Sequence, residues 1–184
     1  MVREENEMDN KQVFITIKND AIERNIANDI YRYLKDGLKL PIHEPIRIIL
    51  SEEEVMQIKE DEFRNKWKDY PEGDVLRYLL NYEAQEVWAV PCDYMGDETF
   101  KILHQLKGNH HIPYMCNHDS IRWKYRDKEQ IGRLFEYSDE ILLEKWKNGN
   151  ITFPATIMHT PDSDKENEIL KGIILNKEEI KDDK

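Results

Sequence analysis

Apolar residues along this chain fall into short continuous runs, separated by segments in which they recur with helical spacing. Four runs have strand length and are rich in β-branched or other apolar side chains: 13–18, 46–50, 86–91 and 112–116. Between the first two runs, four apolar residues recur at every fourth position: Ile22, Ile26, Ile30 and Leu34. This spacing predicts an amphipathic helix, which Gly37 would end.

Capping and stop signals predict further helices. Ser51 and Glu54 fit a capping box, so a helix should begin there and run to about residue 68. Asp97 and Gly108 bracket another apolar pattern of helical period. Three more segments have helical patterns: 74–84, 127–135 and 138–147. The chain then returns to strand character at 151–158 and 169–175, and the polar stretch between them predicts an antiparallel hairpin.

Alternating strands and helices are typical of a parallel sheet with right-handed crossovers. The sequence therefore predicts a three-layer mixed α/β sheet, mainly parallel, with a C-terminal antiparallel hairpin and helices on both faces. We expect one domain over 11–176, between charged tails at 1–10 and 177–184.

Charge and composition narrow the classes of partner. The chain has 184 residues and a formal net charge of −11, which argues against binding a phosphate backbone. Its densest basic stretch, 122–128, alternates with aromatic residues, and we interpret it as a solvated face. The chain contains neither a signal-peptide pattern nor eighteen consecutive apolar residues, so we predict a cytoplasmic protein that does not enter a membrane.

The most specific catalytic hypothesis places an active site at the ends of the predicted strands. In an open parallel sheet, ligands bind where loops leave the carboxyl ends of the strands. Cys92 and Asp93 follow one predicted strand, and His118 and Asp119 follow the next. Together they would supply a nucleophile, a base and orienting carboxylates. The structural alternative is a buried thiol and ordinary turn residues.

A second hypothesis is a zinc site. Cys92, Cys116 and His118 have the ligand types that zinc prefers, and one of three further histidines would complete a tetrahedron: His104, His110 or His111. Since no Cys-x-x-Cys pair supports this set, the sequence favours a protein without a cofactor.

Signatures of the common nucleotide enzymes are missing. The chain has only 7 glycines, and none of its predicted strand-to-helix turns is the Gly-rich loop that cradles a pyrophosphate. His159 and Thr160 follow a predicted strand and resemble the histidine and hydroxyl of a phosphoesterase site. No matching second histidine accompanies them, so we interpret this pair as the end of a strand before the turn at Pro161.

With no family motif, the acidic balance favours a small regulatory or partner-binding protein. Its partner would present a basic surface to acidic segments such as 52–54 and 162–168. The alternative is a small hydrolase or nucleotide-processing enzyme with its site at the carboxyl ends of the sheet strands.

Overall fold

Four strands form one antiparallel sheet within the residues that the computed structural model describes, which are 11–66, 84–110, 113–128 and 156–181. The strands are β1 (Gln12–Ile17), β2 (Ile46–Ile49), β3 (Glu86–Asp93) and β4 (Met158–His159). Their order across the sheet is β2-β3-β1-β4. The long central pair, β1 and β3, runs from Gln12 opposite Asp93 to Ile17 opposite Trp88.

Helices connect the strands and cover both faces of the sheet. In the described part of the chain they are α1 (Asn19–Glu23), α2 (Ala27–Arg32), α3 (Glu52–Lys66), α4 (Thr99–Lys107), α5 (Ile121–Lys124) and α6 (Asp164–Leu175). A π-helical turn at Tyr33–Gly37 extends α2. The predicted capping box is confirmed, because the Ser51 amide donates to Glu54 Oε2 at 2.8 Å and the Glu54 amide donates to Ser51 Oγ at 3.2 Å. None of these helices is long and apolar enough to cross a membrane.

The predicted mainly parallel sheet is wrong. β1 and β2 do point the same way, but β3 lies between them and is antiparallel to both. In the same manner, β1 lies between β3 and β4. The connections from β1 to β2 and from β3 to β4 therefore each skip one position in the sheet, whereas β2 and β3 are neighbours. The alternation of strands and helices along a sequence does not distinguish this arrangement from adjacent parallel strands.

The predicted C-terminal hairpin is also wrong, because residues 169–175 belong to α6. Ser163 caps that helix, its Oγ accepting from the Glu166 amide at 3.2 Å. The run at 112–116 contains a 3₁₀ turn over Pro113–Met115 instead of a strand. The helices predicted over 74–84, 127–135 and 138–147 lie almost entirely outside the described residues.

Alternate residues of β1 face two separate cores. Val13, Ile15 and Ile17 pack with residues of α1, α2, α4 and α5. Phe14 lies on the other face with Val55 of α3 and with three residues of α6: Leu170, Ile173 and Ile174. The space between the sheet, α3 and α6 is where the candidate site lies.

Asn167 of α6 completes the edge of β1 where the short β4 does not reach. Its Oδ1 accepts from the Phe14 amide at 3.0 Å, and its Nδ2 donates to the Gln12 carbonyl at 2.9 Å. Asn167 is fully buried, so this one side chain replaces a missing strand and fixes α6 against the sheet.

Candidate functional site

His159 lies at the centre of the candidate site, on the last residue of β4. Its strand neighbour Met158 packs into the core on the side of α1 and α2, so His159 faces the side of α3 and α6. Its register partner is Thr16. Both line a small cleft together with five other residues: Leu50, Val55, Ile58, Lys59 and Leu170.

Glu166 orients the histidine. The carboxylate of Glu166 contacts His159 Nε2 through Oε1, and its other oxygen accepts from the Asp162 amide at 3.0 Å. The His159 and Glu166 side chains are only 12% and 17% exposed. Because an ionised carboxylate can only accept a hydrogen bond, this contact favours the tautomer with its proton on Nε2 and its lone pair on Nδ1. The geometry therefore prepares Nδ1 as a nucleophile or base.

Two buried cations are fixed to the chain segment that leads into His159. Lys18, directly after β1, donates from Nζ to Thr156 Oγ1 at 2.9 Å. Arg122 of α5 donates from Nε to the Thr156 carbonyl and from Nη2 to the Met158 carbonyl, both at 3.0 Å, and from Nη1 to the His110 carbonyl at 2.7 Å. Lys18 and Arg122 are each 6% exposed. They hold the backbone of β4 while keeping positive charge beside it.

Two further buried lysines approach from the helices. Lys59 of α3 lines the cleft with His159. Lys107 is the last residue of α4, and Gly108 after it has φ +123°. A side-chain Cβ at Gly108 would lie 2.8 Å from Cys116 Sγ and 3.2 Å from Arg122 Cβ. Only glycine allows this approach, which brings the end of α4 against α5 and Lys107 near Arg122.

Burial and like charge act together on Lys107. Desolvation first, and then the charges of Arg122, Lys59 and Lys18, lower the pKa of Lys107 to about 7, while Asp162 opposes them. Lys107 is only 4% exposed. We name the set Lys18, Lys59, Lys107 and Arg122 the cationic cluster. In a chain of net charge −11, such a concentration of positive charge is an arrangement suited to an anion.

The predicted catalytic residues of β3 lie away from His159. Cys92 is fully buried in the sheet, and burial raises the pKa of its thiol to about 12. Asp93 accepts from His43 Nε2 at 2.7 Å, which is the main cause that lowers the pKa of its carboxyl. Asp93 pairs with Gln12 whereas His159 pairs with Thr16, four residues farther along β1, or about 13 Å.

The other two predicted catalytic residues follow the 3₁₀ turn. His118 is exposed and stacks on Trp123, with ring centroids 3.9 Å apart. Asp119 is also exposed, and accepts from Asn117 Nδ2 at 2.5 Å. No described hydrogen bond or ion pair joins either residue to Cys92 or Asp93. The sequence placed both pairs at the ends of adjacent strands, but the segment before His118 is a 3₁₀ turn outside the described sheet, so no strand pairing brings His118 and Asp119 beside Cys92 and Asp93.

The proposed zinc ligands are not brought together either. Cys116 Sγ lies 3.0 Å from the His110 carbonyl, beside Gly108, whereas Cys92 belongs to β3. Across the described ranges, no three His, Cys, Asp or Glu side chains form a group that could hold a metal ion.

Sequence reasoning reached His159 but set it aside, and it missed Glu166 and the cationic cluster. One signal was present: Ser163 and Glu166 have the same Ser-x-x-Glu spacing that correctly marked the start of α3. It would have predicted a helix at 164 and placed Glu166 one turn from His159. No local signal connects lysines and an arginine at positions 18, 59, 107 and 122.

Comparison with known proteins identifies the fold. No family model and no curated sequence matches the chain. Among solved structures, a nucleoside-diphosphate kinase from Borrelia burgdorferi with bound vanadate and ADP has a TM-score of 0.61 at 15% identity, with 95% of this chain and 92% of that chain covered. The enzyme from Pyrobaculum aerophilum has a TM-score of 0.58 at 18% identity, with coverages of 88% and 93%. The enzyme from Encephalitozoon cuniculi has a TM-score of 0.57 at 17% identity, with 90% of this chain and 88% of that chain covered.

These likenesses establish a ferredoxin-type α/β fold of the kind found in nucleoside-diphosphate kinases. They overturn the prediction of a regulatory or partner-binding protein, which rested on acidic surface charge. The alternative, a nucleotide-processing enzyme, agrees better with this fold. Its predicted site at the carboxyl ends of parallel strands does not carry over, because the sheet is antiparallel.

Proposed function

We propose that this chain is a phosphotransferase of the nucleoside-diphosphate kinase type, in which His159 carries a phosphoryl group from one nucleotide to another. The observation that supports it most directly is the pairing of His159 with Glu166 beside the cationic cluster. A histidine that must attack phosphorus needs a fixed lone pair, and the phosphate oxygens need fixed positive charge. Both requirements are met by buried groups.

The first half of the reaction forms a phosphohistidine. Nδ1 of His159 attacks the terminal phosphorus of a nucleoside triphosphate, forming an N–P bond as the bond from that phosphorus to the bridging oxygen breaks. The nucleoside diphosphate leaves with the electron pair of the broken bond. The proton stays on Nε2, where Glu166 stabilises the positive charge that develops on the ring. In the second half, an oxygen of another diphosphate attacks the same phosphorus and restores His159.

The cationic cluster explains how a chain without a Gly-rich loop could bind phosphates. Phosphate-binding loops use backbone amides, whereas here the charge would come from side chains of four separate elements. Arg122 also bonds the backbone on both sides of residue 157, so the nucleophile and the charge are positioned by the same side chain. This coupling is favourable for an in-line displacement, which depends mainly on positioning and electrostatics.

Labelling with magnesium and ATP radioactive at the terminal phosphate tests the proposal. Wild-type protein should acquire a label that survives alkali and is lost in acid, as a phosphohistidine is, and should pass it to added CDP or GDP. His159→Asn should abolish the label. Glu166→Gln should slow its formation by roughly 10²- to 10⁴-fold, because the preferred tautomer is lost.

His118→Asn is the matched control, since His118 is an exposed histidine outside the cleft and was the base expected from the sequence. It should label at the wild-type rate. Wild-type protein that never forms an alkali-stable label, or a His159→Asn variant that labels normally, would refute the proposed function.

A further inference from the structure

Lys177, two residues beyond the end of α6, joins three elements around the candidate cleft. Its Nζ donates to the Ile49 carbonyl of β2 at 2.6 Å and lies 2.6 Å from Glu54 Oε2 in the first turn of α3. Its backbone amide donates to the Ile174 carbonyl at 3.1 Å, which fixes the residue to the end of α6. We name the contacts of Lys177 with Glu54 and Ile49 the lysine clip.

Both partners of the ion pair in the lysine clip are held in place by other contacts. The two side chains are only 23% exposed. Glu54 Oε2 also accepts from the Ser51 amide at 2.8 Å, so the capping box already orients the carboxylate. The Ile180 amide donates to the Arg47 carbonyl at 2.9 Å, which keeps the chain after Lys177 beside β2. Less side-chain entropy is therefore lost here than in an ordinary surface ion pair.

The cleft has one wall from α3 and another from α6. Val55, Ile58 and Lys59 line it from α3, and Leu170 lines it from α6. Val55 and Leu170 belong to one apolar core, but hydrophobic contact is non-directional and leaves the angle between two helices free to vary. Hydrogen bonds and ion pairs are directional, so the lysine clip fixes where the α3 wall stands.

The lysine clip lies at a distance from the reacting histidine. Lys177 follows Glu166 by eleven residues, which corresponds to roughly 16 Å along a helix. Glu166 orients His159 through local contacts at β4 and at the start of α6. Loss of the clip should therefore change binding in the cleft and leave the pairing of His159 with Glu166 intact.

We propose that Lys177 is a positioning residue of the His159 cleft, which holds the α3 wall in the position that binds the nucleotide. Asn167 already fixes α6 against β1, so α3 is the element that the clip positions. Without the clip, α3 would occupy the binding position only part of the time, and the apparent affinity would fall in proportion. This inference rests on the proposed function for the identity of the ligand.

The rate of His159 labelling at several ATP concentrations separates binding from chemistry. Lys177→Met should raise the ATP concentration for half-maximal rate by roughly 3- to 10-fold. The rate at saturating ATP should stay within about twofold of wild type, because the nucleophile and its orienting carboxylate are untouched.

Variants of the partner carboxylate test whether the ion pair is responsible. Glu54→Gln keeps the capping box, in which glutamine also serves, but loses the charge, so it should shift the half-saturating ATP concentration in the same direction as Lys177→Met. The double variant should be no worse than Lys177→Met, because both changes remove the same contact. Glu53→Gln and Lys181→Met are the matched controls, since both residues are exposed, and they should label as wild type does.

A distance measurement tests the positioning without any nucleotide. Nitroxide labels at Gln57→Cys of α3 and Glu168→Cys of α6 occupy exposed positions, whereas the native thiols Cys92 and Cys116 are buried. Pulsed electron spin resonance should give one narrow distance distribution with Lys177 present. Lys177→Met should broaden it and add a population at longer distance, which a residue that only stabilises the fold would not do.

The outcomes distinguish this inference from the proposed function. Wild-type half-saturation in Lys177→Met, or a distance distribution as narrow as that of wild type, would overturn the inference even if His159 labels normally. A loss confined to the saturating rate would also overturn it, because the clip would then act on the chemistry. If wild-type protein never labels, ADP binding is measured by calorimetry instead: weaker binding and a broadened distribution in Lys177→Met would support the inference and refute the transferase.

Discussion

Replacing Lys107 by Met should stabilise the ligand-free fold, and the gain should shrink as the pH rises. The pKa of Lys107 falls from 10.5 to about 7 on folding, chiefly because burial removes its hydration. Each pKa unit corresponds to about 1.4 kcal/mol, so the buried amine costs the native state roughly 5 kcal/mol below pH 7. Met has a similar length and carries no charge, so it removes this cost.

The sign of the pH dependence follows from proton counts. Between pH 7 and pH 10.5 the unfolded chain keeps a proton on Lys107 that the folded chain has lost. Wild-type stability therefore rises with pH across this window, and the penalty disappears above pH 10.5. From pH 7 to pH 9 the advantage of Lys107→Met should fall by roughly 2 kcal/mol. Any gain from better packing of Met is independent of pH and cancels in this difference.

Urea denaturation of both proteins at pH 7 and pH 9 gives the free energies of unfolding that the comparison needs. Lys101→Met, at an exposed position of the same helix, should show a difference from wild type that stays constant between the two pH values. An advantage of Lys107→Met that is equally large at pH 7 and pH 9 would refute the reasoning. It would mean that Lys107 has a counter-charge in the native fold and titrates near its ordinary pKa.

Two other substitutions test the packing that positions the site. Gly108→Ala should lower the free energy of unfolding by about 2 kcal/mol, because a φ of +123° is strained for alanine and the added Cβ would meet Cys116. Gly172 is a helical glycine with open space around it, so Gly172→Ala should raise the free energy of unfolding by about 0.5–1 kcal/mol. Urea midpoints check both changes, and equal effects would contradict this account. Asn167→Asp should cost about 1–3 kcal/mol at pH 7, since it removes the donor to Gln12 and buries a carboxylate; an unchanged midpoint would show that the edge of β1 does not need this bond.

Local signals in the sequence predicted much of the secondary structure. The strands near 13–18, 46–50 and 86–91 and the helix at Ser51 are confirmed, because a run of β-branched residues or a capping box acts over a few neighbouring positions. The same logic failed at 169–175, where five apolar residues gave a strand pattern although the capping residue Ser163 indicates a helix. Short apolar runs fit either structure, and only the flanking cap separates them.

The position of the site could not be predicted from the ends of the strands, because the rule that ligands bind at the carboxyl ends holds for parallel strands. With β3 antiparallel to both neighbours, Cys92 and Asp93 lie at the rim opposite to the end of β1, and His159 lies beside Thr16 near that end. His159 belongs to a strand of only two residues, too short to leave a periodic pattern. Its partner Glu166 was visible in the sequence, but only as part of a loop that was assigned to a hairpin.

The sequence by itself determined the positions of three strands and of the helix after Ser51, which residues are apolar enough for the two cores, and that the chain carries a large negative charge. Tertiary structure decided the order and direction of the strands, the approach of α4 to α5 at Gly108, and the gathering of cations from four segments in an acidic protein. The physical reason is the distance along the chain over which each kind of interaction acts. Hydrogen bonds and side-chain periodicity specify elements locally, whereas strand order and the burial of charges depend on contacts between residues far apart in the chain.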